Sequence, residues 1–174
     1  MPRITPSLLA TLVLVAAAGA ACAAKPHEHG VVKLDVAIEG DKLTVALEAP
    51  LDNLLGFERA PRTDAERKAA TDVLARLRAP AGLFVADAAA QCTMAKADVQ
   101  APVLEAGAKA KDGHADLDAT YEFKCAQPAQ LRALDVGLFE AYKRIQRIEV
   151  QVAGPQGQAK TTLRRPARSV KLAK

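Results

Sequence analysis

From Gly113 to Cys125 the chain alternates strictly enough to dictate its conformation. Leu117, Ala119, Tyr121, Phe123 and Cys125 fall on one side of a period-two pattern; His114, Asp116, Asp118, Thr120, Glu122 and Lys124 fall on the other. Successive side chains of a strand point to opposite faces, so this is a half-buried β-strand. Its dry face carries a cysteine into the core. Its wet face presents an imidazole and two carboxylates.

A second alternation fixes a hairpin. Val32, Leu34, Val36 and Ile38 share one side, Gly40-Asp41 supplies a two-residue turn, and Leu43, Val45 and Leu47 share the returning side. Pairing Glu39 with Lys42 sets Ile38 opposite Leu43, Val36 opposite Val45 and Leu34 opposite Leu47. One register thus satisfies the turn, the apolar face and a cross-strand charge pair. Carried backwards, the same parity puts His27 and His29 on the polar face of an extended arm, Lys25-Pro26-His27-Glu28-His29-Gly30.

Pro50 closes this hairpin, and Leu51 to Phe57 reads as an apolar connection. Thr63-Asp64-Ala65-Glu66 is a capping box. It opens a helix through Ala69, Ala70, Val73, Leu74 and Leu77, which Pro80 and Gly82 stop. Leu83 to Val85 is a short apolar piece, Cys92 lies on a strand, and Glu105 to Gly113 reads as an exposed loop. Pro128 opens a second helix through Leu131 and Leu134, with Phe139 and Tyr142 at its far end. Ile148, Val150 and Val152 alternate into a turn at Gly154-Pro155-Gln156-Gly157, and Ala159, Thr161 and Leu163 alternate back. Val170 and Leu172 add a final edge strand. The expected class is α+β, mainly antiparallel β-hairpins with two helices and one disulfide.

The amino terminus points to export. Met1-Pro2-Arg3 is a short positive region, Leu8 to Ala18 an apolar run of secretory-signal length, and small residues surround Cys22 to Ala24. The expected organisation is a signal peptide over residues 1–24, cleaved within 21–24, and a single periplasmic domain over 25–174 with a short histidine-containing arm. Cys22 invites a lipid-anchor reading, but Gly19 stands where a lipobox usually has leucine. No segment is long and apolar enough to span a bilayer. Without residues 1–24 the formal charge falls from +4 to +3, too modest to indicate a nucleic-acid partner. Cys92 and Cys125 then remain as an even pair, which in an exported protein is most simply a disulfide. It closes a loop of about 34 residues, worth roughly 4 kcal/mol in the chain-entropy account.

Two constellations carry possible chemistry. His27 and His29 place two imidazoles on one side of an extended chain, within reach of one metal. His114, with Asp116 and Asp118 at alternate positions, offers one nitrogen and two oxygens, a donor set that suits zinc with water completing the shell. The plainer account is that these acids only keep a strand face wet. An amino-terminal copper motif is excluded, because Pro26 lacks the amide nitrogen it needs. Enzyme readings fail for want of parts. Ser169 is the only serine after residue 24, the cysteines are oxidised, and no glycine-rich phosphate loop follows a strand.

Several of these features together resemble one family. They are His-Glu-His-Gly before a hairpin, Pro50 followed by Asn53-Leu54-Leu55-Gly56-Phe57-Glu58, and Cys92. With them go His114-Ala115-Asp116 before Tyr121-Glu122-Phe123-Lys124-Cys125, and Leu138-Phe139-Glu140. The sequence is similar over nearly all of residues 25–174 to the ZrgA family of zinc-regulated periplasmic proteins. The resemblance implies a non-catalytic periplasmic zinc-binding accessory protein that assists zinc acquisition alongside an uptake transporter. The matching metal positions are His27, His29 and His114, with Asp116 and Glu58 as further candidates. Relatives commonly carry a histidine- and acid-rich insertion before the His-to-Cys strand, where this chain has Ala106-Gly107-Ala108-Lys109-Ala110-Lys111. That departure leaves at most one zinc site. It also keeps open a rival reading, a metal-free envelope interaction or scaffold module of the same fold.

Overall fold

The computed structural model describes residues 28–105 and 115–172. In chain order the strands are β1 (Val31–Glu39), β2 (Lys42–Pro50), β3 (Phe84–Ala86), β4 (Cys92–Gln100), β5 (Asp116–Cys125), β6 (Ala133–Val136), β7 (Arg147–Gly154), β8 (Gly157–Arg164) and β9 (Ser169–Lys171). The helices are α1 (Leu51–Leu55), α2 (Asp64–Arg78) and α3 (Leu138–Ala141). Six strands form one sheet in the order β4-β5-β2-β1-β7-β8, and three form a second in the order β3-β6-β9. Among the described residues only the β1–β7 pair is parallel; the other ladders are antiparallel.

The β1–β2 hairpin has the register its turn and apolar face demand, with Glu39 opposite Lys42 and Leu34 opposite Leu47. Its buried face meets Leu117, Ala119, Tyr121 and Phe123 of β5 and Ile148, Val150 and Val152 of β7. These join Leu77 of α2, Leu138 and Phe139 of α3, and Phe84, Leu134, Val136 and Val170 of the small sheet in one apolar cluster. With no tryptophan, the ring pair Phe84–Tyr121 is a main aromatic contact of the core, its centroids 4.9 Å apart. The opposite face of the large sheet is polar. Helix α2 begins as its sequence specifies: Thr63 accepts from the Glu66 amide, and the Glu66 carboxylate accepts from the Thr63 amide.

Two expectations are corrected. The second helix does not run from Pro128 to Tyr142; a 3-10 turn (Pro128–Gln130), strand β6 and the single turn α3 stand there instead. β6 is the centre of the small sheet, so Ala133–Val136 supply ladder partners to both β3 and β9 that a helix could not. The Leu51–Phe57 connection contains helix α1. The second hairpin forms as expected, β7 pairing β8 with Ile148 opposite Leu163, and of Ala159, Thr161 and Leu163 only Leu163 is buried. The disulfide joins Cys92 and Cys125, which stand directly opposite each other across β4 and β5. Among the described residues no helix is long and apolar enough to cross a membrane.

Candidate functional site

The sheet register gathers one end of the molecule. β1 starts, β2 stops and β5 starts at the same end: Lys33 opposes Glu48, Glu48 opposes Asp118, and Pro50 opposes Asp116. The arm that enters β1 and the segment that enters β5 are therefore separated by two strand spacings, about 10 Å. Cys92–Cys125 lies at the opposite end of β5, so that strand carries the staple and the candidate ligand face at different ends.

The arm does not continue as extended chain. The Val31 amide donates to the Glu28 carbonyl at 3.1 Å, making Glu28 to Val31 a tight turn with His29-Gly30 at its centre. Gly30 has φ +82°, the conformation this third turn position favours. Asn53, buried in α1 with 1 % of its surface exposed, fastens the turn. Its Oδ1 accepts from the Gly30 amide and its Nδ2 donates to the Val31 carbonyl, both at 2.6 Å. The Gly30 carbonyl accepts from the amides of Gln146 and Arg147 at 2.8 and 2.9 Å. Glu28 adds an ion pair, its Oε2 lying 2.7 Å from Arg147 Nη2.

The same stretch that supplies Asn53 delivers the partner of His29. Gly56 ends α1 at φ +84°, and a Cβ there would lie 2.7 Å from Arg144 Nη2. That left-handed conformation is what favours glycine here; the arginine tip beside it can move. Arg59 lies over the Phe57 ring at 5.0 Å and holds Glu66 through two hydrogen bonds of 2.7 and 2.9 Å, tying the segment to the start of α2. That contact, then the Arg62 amide, lowers the Glu66 carboxyl to about 2. Between Phe57 and Arg59, Glu58 brings Oε1 to 3.2 Å from His29 Nε2; the carboxylate is largely covered and the imidazole exposed.

The contact has the length of an ion pair or hydrogen bond between imidazole and carboxylate, which is also the separation of two ligands on one metal. Nitrogen and oxygen ligands about 2.0–2.2 Å from a tetrahedral zinc lie about 3.3 Å from one another. His29 and Glu58 already stand at that separation. Asp116 is half-buried at the same sheet end, and Asp118 is exposed beside Glu48. The Lys33 ammonium pairs with Glu48. Its pKa is raised, first by that hydrogen bond, and also by the charges of Glu48, Asp116 and Glu149, with burial acting against them.

Of the five metal positions named from the sequence, the structure joins His29 to Glu58 and sets Asp116 at their end of the sheet. His27 and His114, like the expected signal segment, lie outside the described residues. Among the described residues no three His, Cys, Asp or Glu side chains form a metal-binding group. Sequence reasoning quoted Asn53 only as part of the family motif and gave it no role; its own signal was an amide inside an apolar run.

No curated protein matches the chain. The family model described as ZrgA family zinc uptake protein matches residues 26–172, nearly the whole length on which this fold and histidine turn are built, and the chain belongs to that family.

Proposed function

We propose that this protein is a periplasmic, non-catalytic zinc-binding accessory protein that holds zinc as cargo for an uptake transporter. The observation that carries the reading is the His29–Glu58 pair, 3.2 Å apart and fixed from both sides by Asn53 and Gly56. In this reading His29 supplies a nitrogen and Glu58 an oxygen. His27, two residues before His29, and His114 and Asp116, at the entry to β5, supply the remaining ligands. Nitrogen and carboxylate donors of this kind suit zinc. The cross-strand disulfide supports an oxidising compartment outside the cytoplasm. The absence of ligands in Ala106 to Lys111 limits the protein to one site.

Calorimetry with zinc on the exported chain tests this. One ion should bind per chain, more weakly at mildly acidic pH because protons compete for imidazole. Glu58→Gln should weaken binding about ten-fold, the usual cost of losing one ligand or its support. Equal affinity at neutral and mildly acidic pH would rule out imidazole ligation. Replacing His27, His29 and His114 together by alanine should impair growth under zinc starvation; unimpaired growth would favour the scaffold reading.

A further inference from the structure

The two edges of the large sheet differ. At one, β4 carries a bulge between Met94 and Lys96, a device by which an edge refuses a further strand. At the other, β8 runs against β7 from Gly157 to Arg164 with no shift of register. The ladder fixes which of its groups face outward. The Arg147 amide donates to the Gly30 carbonyl, on the β1 side of β7. Alternate residues of a strand turn their amide and carbonyl to opposite neighbours, so Ile148, Val150 and Val152 serve β8 through Leu163, Thr161 and Ala159. Gln158, Lys160, Thr162 and Arg164 therefore hold their backbone groups toward the open side, where no described strand pairs with β8. No proline interrupts the row. Beneath it a groove of about 320 Å³ separates β8 from β9, with Ala159 and Thr161 on one wall and Ser169 and Lys171 on the other.

The charge along this edge has one sign. Residues 150–174 hold six basic residues and no acid. Arg168 is paired with Asp135 and Glu140. Lys160, Arg164 and Lys171 are exposed and form no ion pair among the described residues. The acids nearest β8 across the ladder are engaged elsewhere, Glu149 by Arg147 and Asp35 by the Gln151 side-chain amide.

We propose that β8 is a docking edge, where an extended acidic segment of a partner polypeptide adds as a further strand of the large sheet. Such docking does not depend on zinc binding and goes beyond it. The partner backbone would pair with Gln158, Lys160, Thr162 and Arg164, which supplies affinity without regard to sequence. Lys160 and Arg164 stand four residues apart on one face of β8, so two carboxylates four residues apart on the added strand meet both. The intervening side chains of that strand point into the groove beside Ala159 and Thr161, where small apolar groups fit. A second copy of this chain, pairing β8 with β8, would bring like charges together instead. A lipid surface would find no large apolar side chain here, since the exposed ones among the described residues are Val85 on β3 and Met94 on β4.

Fluorescence polarisation on the exported chain tests this, using a short labelled peptide of alternating threonine and valine with two aspartates four residues apart on its threonine face. That peptide should bind, and one with lysines in place of the aspartates should not. Lys160→Glu combined with Arg164→Glu should weaken binding about ten-fold or more, while Lys68→Glu on α2 should leave it unchanged. Thr162→Pro removes an amide from the open side and none from the ladder to β7, and it too should weaken binding about ten-fold. Methylating the backbone nitrogens of the peptide's threonine-face residues should do the same to wild type, which keeps the test decisive should Thr162→Pro fail to fold. Binding that survives both Thr162→Pro and the methylated peptide overturns the proposal, because charge attraction alone would then suffice. Equal binding of the lysine peptide, or no binding of either, also overturns it. So does a dimer in analytical ultracentrifugation that Thr162→Pro dissolves, which would make a second copy the occupant, or binding to phosphatidylglycerol vesicles in place of the peptide.

Discussion

Asn53 decides where the candidate ligand His29 stands, although it carries no metal chemistry. Its amide makes two short hydrogen bonds to the Gly30–Val31 backbone in a site almost closed to water. Asn53→Ala would strand a buried N–H and a buried carbonyl together, at a cost of about 2–3 kcal/mol. The expected result is a lower urea midpoint with an unchanged slope, and weaker zinc binding as the turn loosens. Zinc affinity left intact in a protein that is measurably less stable would show that the turn does not place a ligand. His29 could be picked out of the sequence because an imidazole is chemically conspicuous; Glu58 came only with the family resemblance. Asn53 could not, because an amide among leucines reads equally well as a cap or a turn. The turn at Glu28–Val31 escaped as well: the alternation of β1, extended backwards, gave no sign that Gly30 would take a positive φ.

The elements whose ends are written locally were legible. Gly40-Asp41 fixed the first hairpin, and Thr63 with Glu66 fixed the start of α2. Glu66 does more than cap. It accepts from Arg59, from the Arg62 amide at 2.6 Å and from the Thr63 amide at 3.3 Å. Its folded pKa is thereby depressed from 4.5 to about 2. A depressed carboxyl stabilises the fold above its unfolded pKa, and that contribution fades as pH falls through the folded value. Glu66→Gln should therefore be less stable than wild type at neutral pH, with the gap closing between 4.5 and about 2. Parallel chemical-denaturation series on the two proteins measure this; a gap independent of pH would show that the carboxylate charge plays no part. β6 was illegible for the opposite reason. At four residues it is too short to display a period, and Leu131, Leu134 and Leu138 imitate helical spacing. Only its two ladder partners, distant in sequence, make it a strand. The parallel seam of Val31–Ala37 against Arg147–Ala153 has no local signature either, yet it seats the histidine turn beside Arg147.

At the scale of the whole molecule, the polar face and the strand entries carry the proposed chemistry, while the interior is closed around two phenols. The chain has two tyrosines, Tyr121 and Tyr142, and both are buried, Tyr121 completely. Neither hydroxyl has a hydrogen-bond partner among the described residues. Burial pushes the Tyr121 phenol well above its ordinary 10.0, and the nearby Tyr142 adds to the shift. Burial also raises Tyr142, with Arg76 partly offsetting it. In an unfolded chain both would ionise near 10, so unfolding releases protons in alkali and stability falls as pH rises above that value. Tyrosinate absorbance should then stay absent above pH 10 while circular dichroism reports an intact fold, and appear for both residues in one step as the sheet is lost. Tyr121→Phe removes a hydroxyl that satisfies no partner, so its stability at neutral pH should stay within about 0.5 kcal/mol of wild type or exceed it. Its alkaline transition should move upward, because one fewer proton is released on unfolding. Gradual ionisation beginning near 10 with the fold intact would mean that solvent reaches the centre of the cluster, and the dry interior inferred from Phe84–Tyr121 packing would have to be abandoned.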